Sequence, residues 1–447
     1  MNRGQRLLTY RVRQLPLEID KAEVISILQQ HLHTDESPPE VRVYSLARDL
    51  VSLHTLRTKV ATVTIAPLPP VLEGRKRWTF DTDYRGDEYS VTIDLDFLDF
   101  TVLNEVPDEK HTLDCVAISG LGSHPFGSWQ HRGGDRFMWL RDGIPCDLPG
   151  VRSIIYGYDS HVSNSDSFQS PHDIAARFVN RLRSVGFGSS QSRPVILLAH
   201  SLGGIIVKEA LIILAGISDR KDSLIKNLNL VIFFGVPHKG MSISHLTTMV
   251  KDCPNENMVR DLSPESSYLY HVEERFNGVH TGRLFRVVSF YETKTTPTVQ
   301  QEEDGTWSRA GPHVRMVERE SAIQQCSRDP EDIYSIDEDH SAMVKFFRGD
   351  ANYKCVLDCV AKASSVVEGG RSNTFFPEER SKRKLNIAAN VEVPMAAPVH
   401  ESVLSNAPSP GGEPRCPALT NPLLTGYFEK KLPDFPPGCS KAKERTG

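Results

Sequence analysis

Residues 194–216 read PVILLAHSLGGIIVKEALIILAG, with one hydroxyl, Ser201, set between a strand-like run and a helix-like run. A serine at the tip of a strand–turn–helix is a nucleophile elbow, which holds the hydroxyl at the carboxyl edge of a sheet. The turn is so tight that the residues two before and two after the serine must be small, and here they are Ala199 and Gly203. Gly204 lets the new helix pack close to the strand. The start of that helix would aim free N–H groups and a positive dipole end at an anionic intermediate. The chemistry such a residue performs is acyl transfer. The first position departs from the strict Gly-x-Ser-x-Gly pattern, having alanine where glycine is usual.

An elbow serine needs an acid and a histidine, which in this architecture follow it in chain order. LFRVVSFYET places Glu292 directly after a strand-like run, where the carboxyl edge of the sheet should lie. Asp304 and Asp261 are the alternatives, although neither follows a convincing strand. The histidine should stand in a loop before a last helix. IDEDHSAMVKFF offers His340, with Ala342, Met343, Phe346 and Phe347 at helical spacing and Ser341 placed to help cap them. His200 points the wrong way on a tight elbow to act as the base, and His238 in GVPHKG reads as shaping a turn. The oxyanion needs two backbone N–H donors. Leu202 supplies one, and Leu121 in SGLGSHPFGSW the other, where Gly120 and Gly122 let the backbone come close. This mechanism calls for no metal or cofactor.

The elements that must position these groups divide the 447 residues into three regions. Residues 1–108 read as strand (8–15), helix (21–32), strand (41–46) and strand (60–65) followed by a charged loop, compatible with a small ferredoxin-like α+β region. Residues 109–365 alternate short apolar strands with helical patterns, the mark of a mostly parallel sheet covered by helices. The strands are 115–118, 152–156, 195–199, 230–234 and 285–290, with helices at 174–185 and 203–214. Residues 241–284 read as part of a cap. Residues 366–447 hold 11 of the 29 prolines. Such a composition buries too little apolar surface to offset ordering, so a disordered Pro/Ser-rich tail is expected. RSKRK at 380–384 reads as a solvated charge run within it.

Composition removes several function classes. The net charge of -5 is small for this length, so no electrostatic footprint for nucleic acid is present. The eight cysteines show no paired CxxC spacing, and reduced thiols in an intracellular, cytoplasmic protein are the expectation. The arginine-rich start has no secretory h-region and reads as a strand rather than a mitochondrial presequence. The longest apolar stretch is the elbow segment itself, interrupted by Lys208 and Glu209, so no transmembrane segment is expected.

With SGLGSHPFGSW, LLAHSLGGIIVKEAL, FFGVPHKG, SFYET and DEDHSAMVKFF in that order, the chain resembles the serine esterase (lipase-like) family that includes the serine active site-containing proteins. It also resembles the hydrolase domain at the amino end of fungal immune-receptor-like proteins, but holds no Gly-x-x-x-x-Gly-Lys-Ser/Thr loop of a following nucleotide-binding module. The resemblance implies an α/β-hydrolase fold with Ser201 as nucleophile, Glu292 as acid and His340 as base. It implies ester substrates, lipid acyl esters among them, and peripheral contact with mitochondrial or endoplasmic-reticulum membranes. Ser119 stands where the family has a histidine opening the oxyanion loop, which puts the geometry of that loop in question. Two functions follow: a serine esterase or acyltransferase, or a signalling scaffold that retains the fold, since fold alone does not decide function.

Overall fold

The computed structural model describes residues 7–32, 38–50, 57–163, 165–189, 192–217, 224–282, 285–303, 307–327 and 329–368. The expected tail, apart from its first three residues, lies outside the described residues.

The N-terminal region begins with β1 (Tyr10–Leu15), α1 (Lys21–His31), β2 (Glu40–Arg48) and β3 (Lys59–Ala66). α1 starts where it does because Asp20 accepts the Glu23 N–H while the Glu23 carboxylate accepts the Asp20 N–H. This reciprocal pair satisfies two donors that a helix start otherwise leaves open. The expected charged loop is instead a hairpin, β4 (Arg77–Tyr84) and β5 (Asp87–Asp94), closed by Arg85 and Gly86 at positive φ. Phe80, Thr82, Val91 and Ile93 are buried, and the charged residues between them alternate outward. The period of two was therefore present, with threonine taking an inward position. The sheet order β2-β3-β1-β5-β4 keeps the first half of a ferredoxin-like unit and replaces its second helix and strand with that hairpin.

Next come β6 (Asp99–Val102), β7 (Leu113–Ile118), α2 (Trp139–Asp142), α3 (Ile144–Asp147), β8 (Val151–Gly157), α4 (Pro171–Ser184), β9 (Val195–His200), α5 (Leu202–Gly216) and β10 (Leu228–Phe234). The cap segment carries α6 (Ser244–Met249), α7 (Glu256–Arg260) and α8 (Ser267–Thr281), and β11 (Arg286–Glu292) follows. Two small ladders pair β12 (Thr296–Pro297) with β15 (His313–Val314), and β13 (Gln300–Gln301) with β14 (Trp307–Ser308). α9 (Arg319–Ala322), β16 (Ile333–Ile336) and α10 (Ala351–Glu368) complete the described chain.

The larger sheet has the order β16-β11-β10-β9-β7-β8-β6, parallel throughout except where β6 runs against β8. One apolar cluster covers the face under α4, α5 and α8, and a second covers the face under α2, α3 and α10. This α/β/α sandwich is the α/β-hydrolase fold expected from the sequence. β6 belongs to the larger sheet although it precedes residue 108, so the structural change of sheet falls near residue 95. Arg11 marks the junction: fully buried, it pairs with Asp94 at 2.9 Å and donates to Leu98 O and Thr101 Oγ1. A buried guanidinium with each side engaged locks the small sheet to the start of the large one.

Candidate active site

β9 ends at His200 and α5 begins at Leu202, leaving Ser201 alone in the turn at φ 54°, ψ -128°. An L-residue reaches that conformation only when its surroundings over-determine it. Here the Ser201 N–H donates to Phe234 O at 3.0 Å, and the Ser201 carbonyl accepts the Gly204 N–H at 2.9 Å. The small neighbours have concrete reasons. A Cβ on Gly203 would fall 2.6 Å from the Ile118 and Ser119 carbonyl oxygens, and one on Gly204 2.2 Å from Val236 Cγ2.

The loop after β7 comes equally close to the serine. A Cβ on Gly120 would lie 2.7 Å from Ser201 Cβ and 3.2 Å from its Oγ. Leu121, the next residue, thus belongs to a backbone that abuts the hydroxyl, and Gly122 anchors it by donating to Ser160 O at 2.7 Å. Leu202 opens α5, so its N–H has no acceptor within the helix. Ser119, which stands where the family's histidine is usual, is buried, and its carbonyl accepts the Tyr158 hydroxyl at 3.0 Å.

Glu292 is the last residue of β11 rather than the first of a loop, and is buried. Its Oε2 lies 2.7 Å from His340 Nδ1, and its Oε1 accepts the Val317 N–H at 2.9 Å. His340 Nε2 is buried and has no partner among the described residues. A neutral ring that donates its Nδ1–H to this carboxylate carries its lone pair on Nε2. Gly235, at φ +52°, makes room for the pair: a Cβ there would lie 3.0 Å from both Glu292 Oε2 and His340 Nδ1. Of the alternative acids, Asp261 closes α7 in the cap and Asp304 lies outside the described residues.

The segment after His340 differs from expectation. Residues 341–344 form turns, and the last helix starts only at Ala351. Asp339, not Ser341, does the capping, accepting the Ser341 and Ala342 N–H groups at 2.8 Å each. Lys345 stitches the turn down by donating to Ser341 O at 2.6 Å and Ser128 O at 3.1 Å. Burial, then Arg132 and Arg309, push the Lys345 ammonium down to about 7. Three supporting groups were not singled out from the sequence: Gly235, the Val317 N–H, and Thr296, whose hydroxyl accepts the His340 N–H at 3.0 Å. His200, set aside as a base, donates from its Nε2 to the His340 carbonyl oxygen at 2.8 Å.

Fold, elbow and strand order together give this chain the α/β-hydrolase architecture. Among curated proteins it is similar to Protein SERAC1 of Danio rerio, 32% identical over 202 residues covering 41% of this chain and 30% of that protein. Protein SERAC1 of Homo sapiens is 27% identical over 203 residues, with the same coverage. The family resemblance read from the motifs therefore holds, and the chain spans 30% of the length of these relatives. No protein-family model matches the chain. Among solved structures, similar chains include the Bacillus licheniformis lipase BlEst2 in mature form, at 15% identity over 58% of this chain and 97% of that one (TM-score 0.37). Phospholipase PlaB from Legionella pneumophila is 16% identical over 41% of this chain and 40% of that one (TM-score 0.30).

Proposed function

We propose that the chain is a serine hydrolase of carboxylic esters working through an acyl-enzyme. His340 Nε2 takes the proton of Ser201 Oγ as the oxygen attacks the ester carbonyl, and the Leu121 and Leu202 N–H groups hold the resulting oxyanion. The imidazolium then protonates the leaving alcohol. Water enters, gives a proton back to His340, and releases the acid while Ser201 recovers its hydrogen. Glu292 keeps the tautomer and balances the imidazolium charge. One observation carries the reading: a strained, glycine-enclosed serine shares a sheet edge with a Glu292–His340 pair whose outer nitrogen is buried with no partner among the described residues. Structural packing alone supplies no reason for all three.

The acyl group is proposed to be apolar. Leu121 of the oxyanion loop packs with Ile243, Leu246 and Met249 of the cap against Val162, Val250 and Val259. These side chains pack on one another, and the partly buried ones among them would give a lipid acyl chain more contact than a polar acid. No described helix is long and apolar enough to cross a membrane. The test is labelling with a fluorophosphonate followed by hydrolysis of p-nitrophenyl esters of increasing chain length. Wild type should label at Ser201 and prefer longer chains, and Ser201→Ala should do neither. Unlabelled wild type with no esterase activity would favour a scaffold that keeps only the fold. Adding an alcohol acceptor and analysing products separates hydrolysis from acyl transfer.

A further inference from the structure

We propose that His200 is a positioning residue that ties the main chain of the base, His340, directly to the nucleophile elbow. The inference rests on the serine-hydrolase reading above and adds a role for a histidine that this mechanism does not use.

The geometry is specific. His200 is the last residue of β9 and the immediate neighbour of Ser201, and its Nε2 lies 2.8 Å from the His340 carbonyl oxygen, 140 residues further along. A carbonyl only accepts, so the ring must carry its proton on Nε2 and donate. The remaining nitrogen, Nδ1, is buried with no partner among the described residues. Burial, then the neighbouring His340, hold the His200 imidazole well below its usual range, so it stays neutral and in that tautomer. The two rings lie 4.8 Å apart at 38°. Nε2 is taken by the His340 carbonyl, and Nδ1 makes no hydrogen bond to Ser201.

The bond completes a set of restraints around one residue. The His340 N–H is held by Thr296 Oγ1, its ring by Glu292, and its carbonyl by His200. Thr296 and Glu292 both lie on the β11 side of the site. Among the described residues' hydrogen bonds, that of His200 ties His340 to the strand that carries Ser201. The segment being held is a set of turns rather than a helix, so it has no regular hydrogen-bond ladder of its own to fix His340. A loop-borne base loses rate steeply with small displacements, since a shift of about 1 Å can cost on the order of a hundredfold. A packing role alone would be met by any side chain of similar volume. The proposal requires a neutral N–H donor at that point.

The test compares His200→Leu, which keeps volume without a donor, with His200→Gln, whose amide N–H reaches a similar distance. For each folded variant, kcat and KM on a short-chain ester and the rate of fluorophosphonate labelling are measured. The expected result is a fall in kcat of roughly 10- to 100-fold for His200→Leu with KM little changed, and near-complete rescue in His200→Gln. Equal rates in wild type and His200→Leu, or equal losses in both variants, would overturn the proposal. If His200→Leu does not fold, histidine-labelled wild type is followed by 15N NMR. His200 should remain a neutral Nε2–H tautomer across pH 5–8, and an Nδ1–H tautomer would overturn it. Failure of the hydrolase reading looks different: wild type itself would not label.

Discussion

Glu292→Gln separates orientation from mere presence of a side chain at the acid position. In the native site both carboxylate oxygens accept, Oε2 facing His340 Nδ1 at 2.7 Å and Oε1 taking the Val317 N–H at 2.9 Å. A carboxamide of the same shape has one acceptor and one donor. With its oxygen toward Val317, its NH2 faces Nδ1, and the ring must move its proton to Nε2. That imidazole cannot take a proton from Ser201. With the amide reversed, NH2 meets the Val317 N–H, leaving buried donors unpaired at about 1–3 kcal/mol. The imidazolium formed in the reaction also loses its counter-charge. The first orientation satisfies more groups, so the wrong tautomer should dominate. An acid-to-amide change that fixes the wrong tautomer lowers kcat by about 10⁴ in serine proteases. The expected loss here is about 10²–10⁴, equivalent to roughly 3–5 kcal/mol of transition-state stabilisation. The assay is kcat and labelling rate beside a thermal melt, which should move little because the amide is isosteric. Activity within about threefold of wild type would refute the reasoning and send the search to Asp261 or Asp304.

Three further outcomes test other parts of the structure. At Ser201, φ 54° strains any side chain, so Ser201→Gly should be about 1 kcal/mol more stable than Ser201→Ala by urea unfolding, with both inactive. Lys208 of α5, fully buried, is paired with Glu273 of α8, so Lys208→Met should lose about 3 kcal/mol by leaving a buried carboxylate without its cation. Lys208→Met combined with Glu273→Leu should recover most of that loss. Burial holds the His238 imidazole, with neither nitrogen hydrogen-bonded to a described residue, well below the usual histidine value of 6.5. A depressed folded value means its stabilising contribution is complete above that pH and shrinks as pH falls below it. Between pH 6.5 and 5.5 wild type should therefore lose about 1 kcal/mol more than His238→Phe, and parallel losses would show that His238 is protonated in the fold.

Local rules are what the sequence carries best. The elbow is contiguous: an apolar β9, the small residues 199 and 203, and a helix that starts at once leave little else for residues 194–216 to be. The five strands read from the larger sheet are there with ends shifted by a few residues, because strands buried on both faces are continuous apolar runs. Glu292 and His340 were legible for a different reason. Right-handed βαβ connections carry successive strand ends to the same edge of the sheet, so chain order predicts neighbours. Two readings failed. β4 and β5 carry an apolar alternation (Trp78, Phe80, Tyr84; Tyr89, Val91, Ile93) that a reading as charged loop passes over, and the residues after His340 have helical spacing but form turns.

The sequence by itself determined which residue could be a nucleophile, because an elbow is made by neighbours along the chain. It could not determine how His340 is held, because those bonds join residues far apart along the chain. His200 meets the His340 carbonyl across 140 positions, Thr296 meets its N–H across 44, and Glu292 meets Val317 across 25. A histidine beside the elbow serine looks idle in one dimension. Only when β9, β10 and β11 lie side by side does its N–H find the backbone of His340, and the packing of those strands decides that.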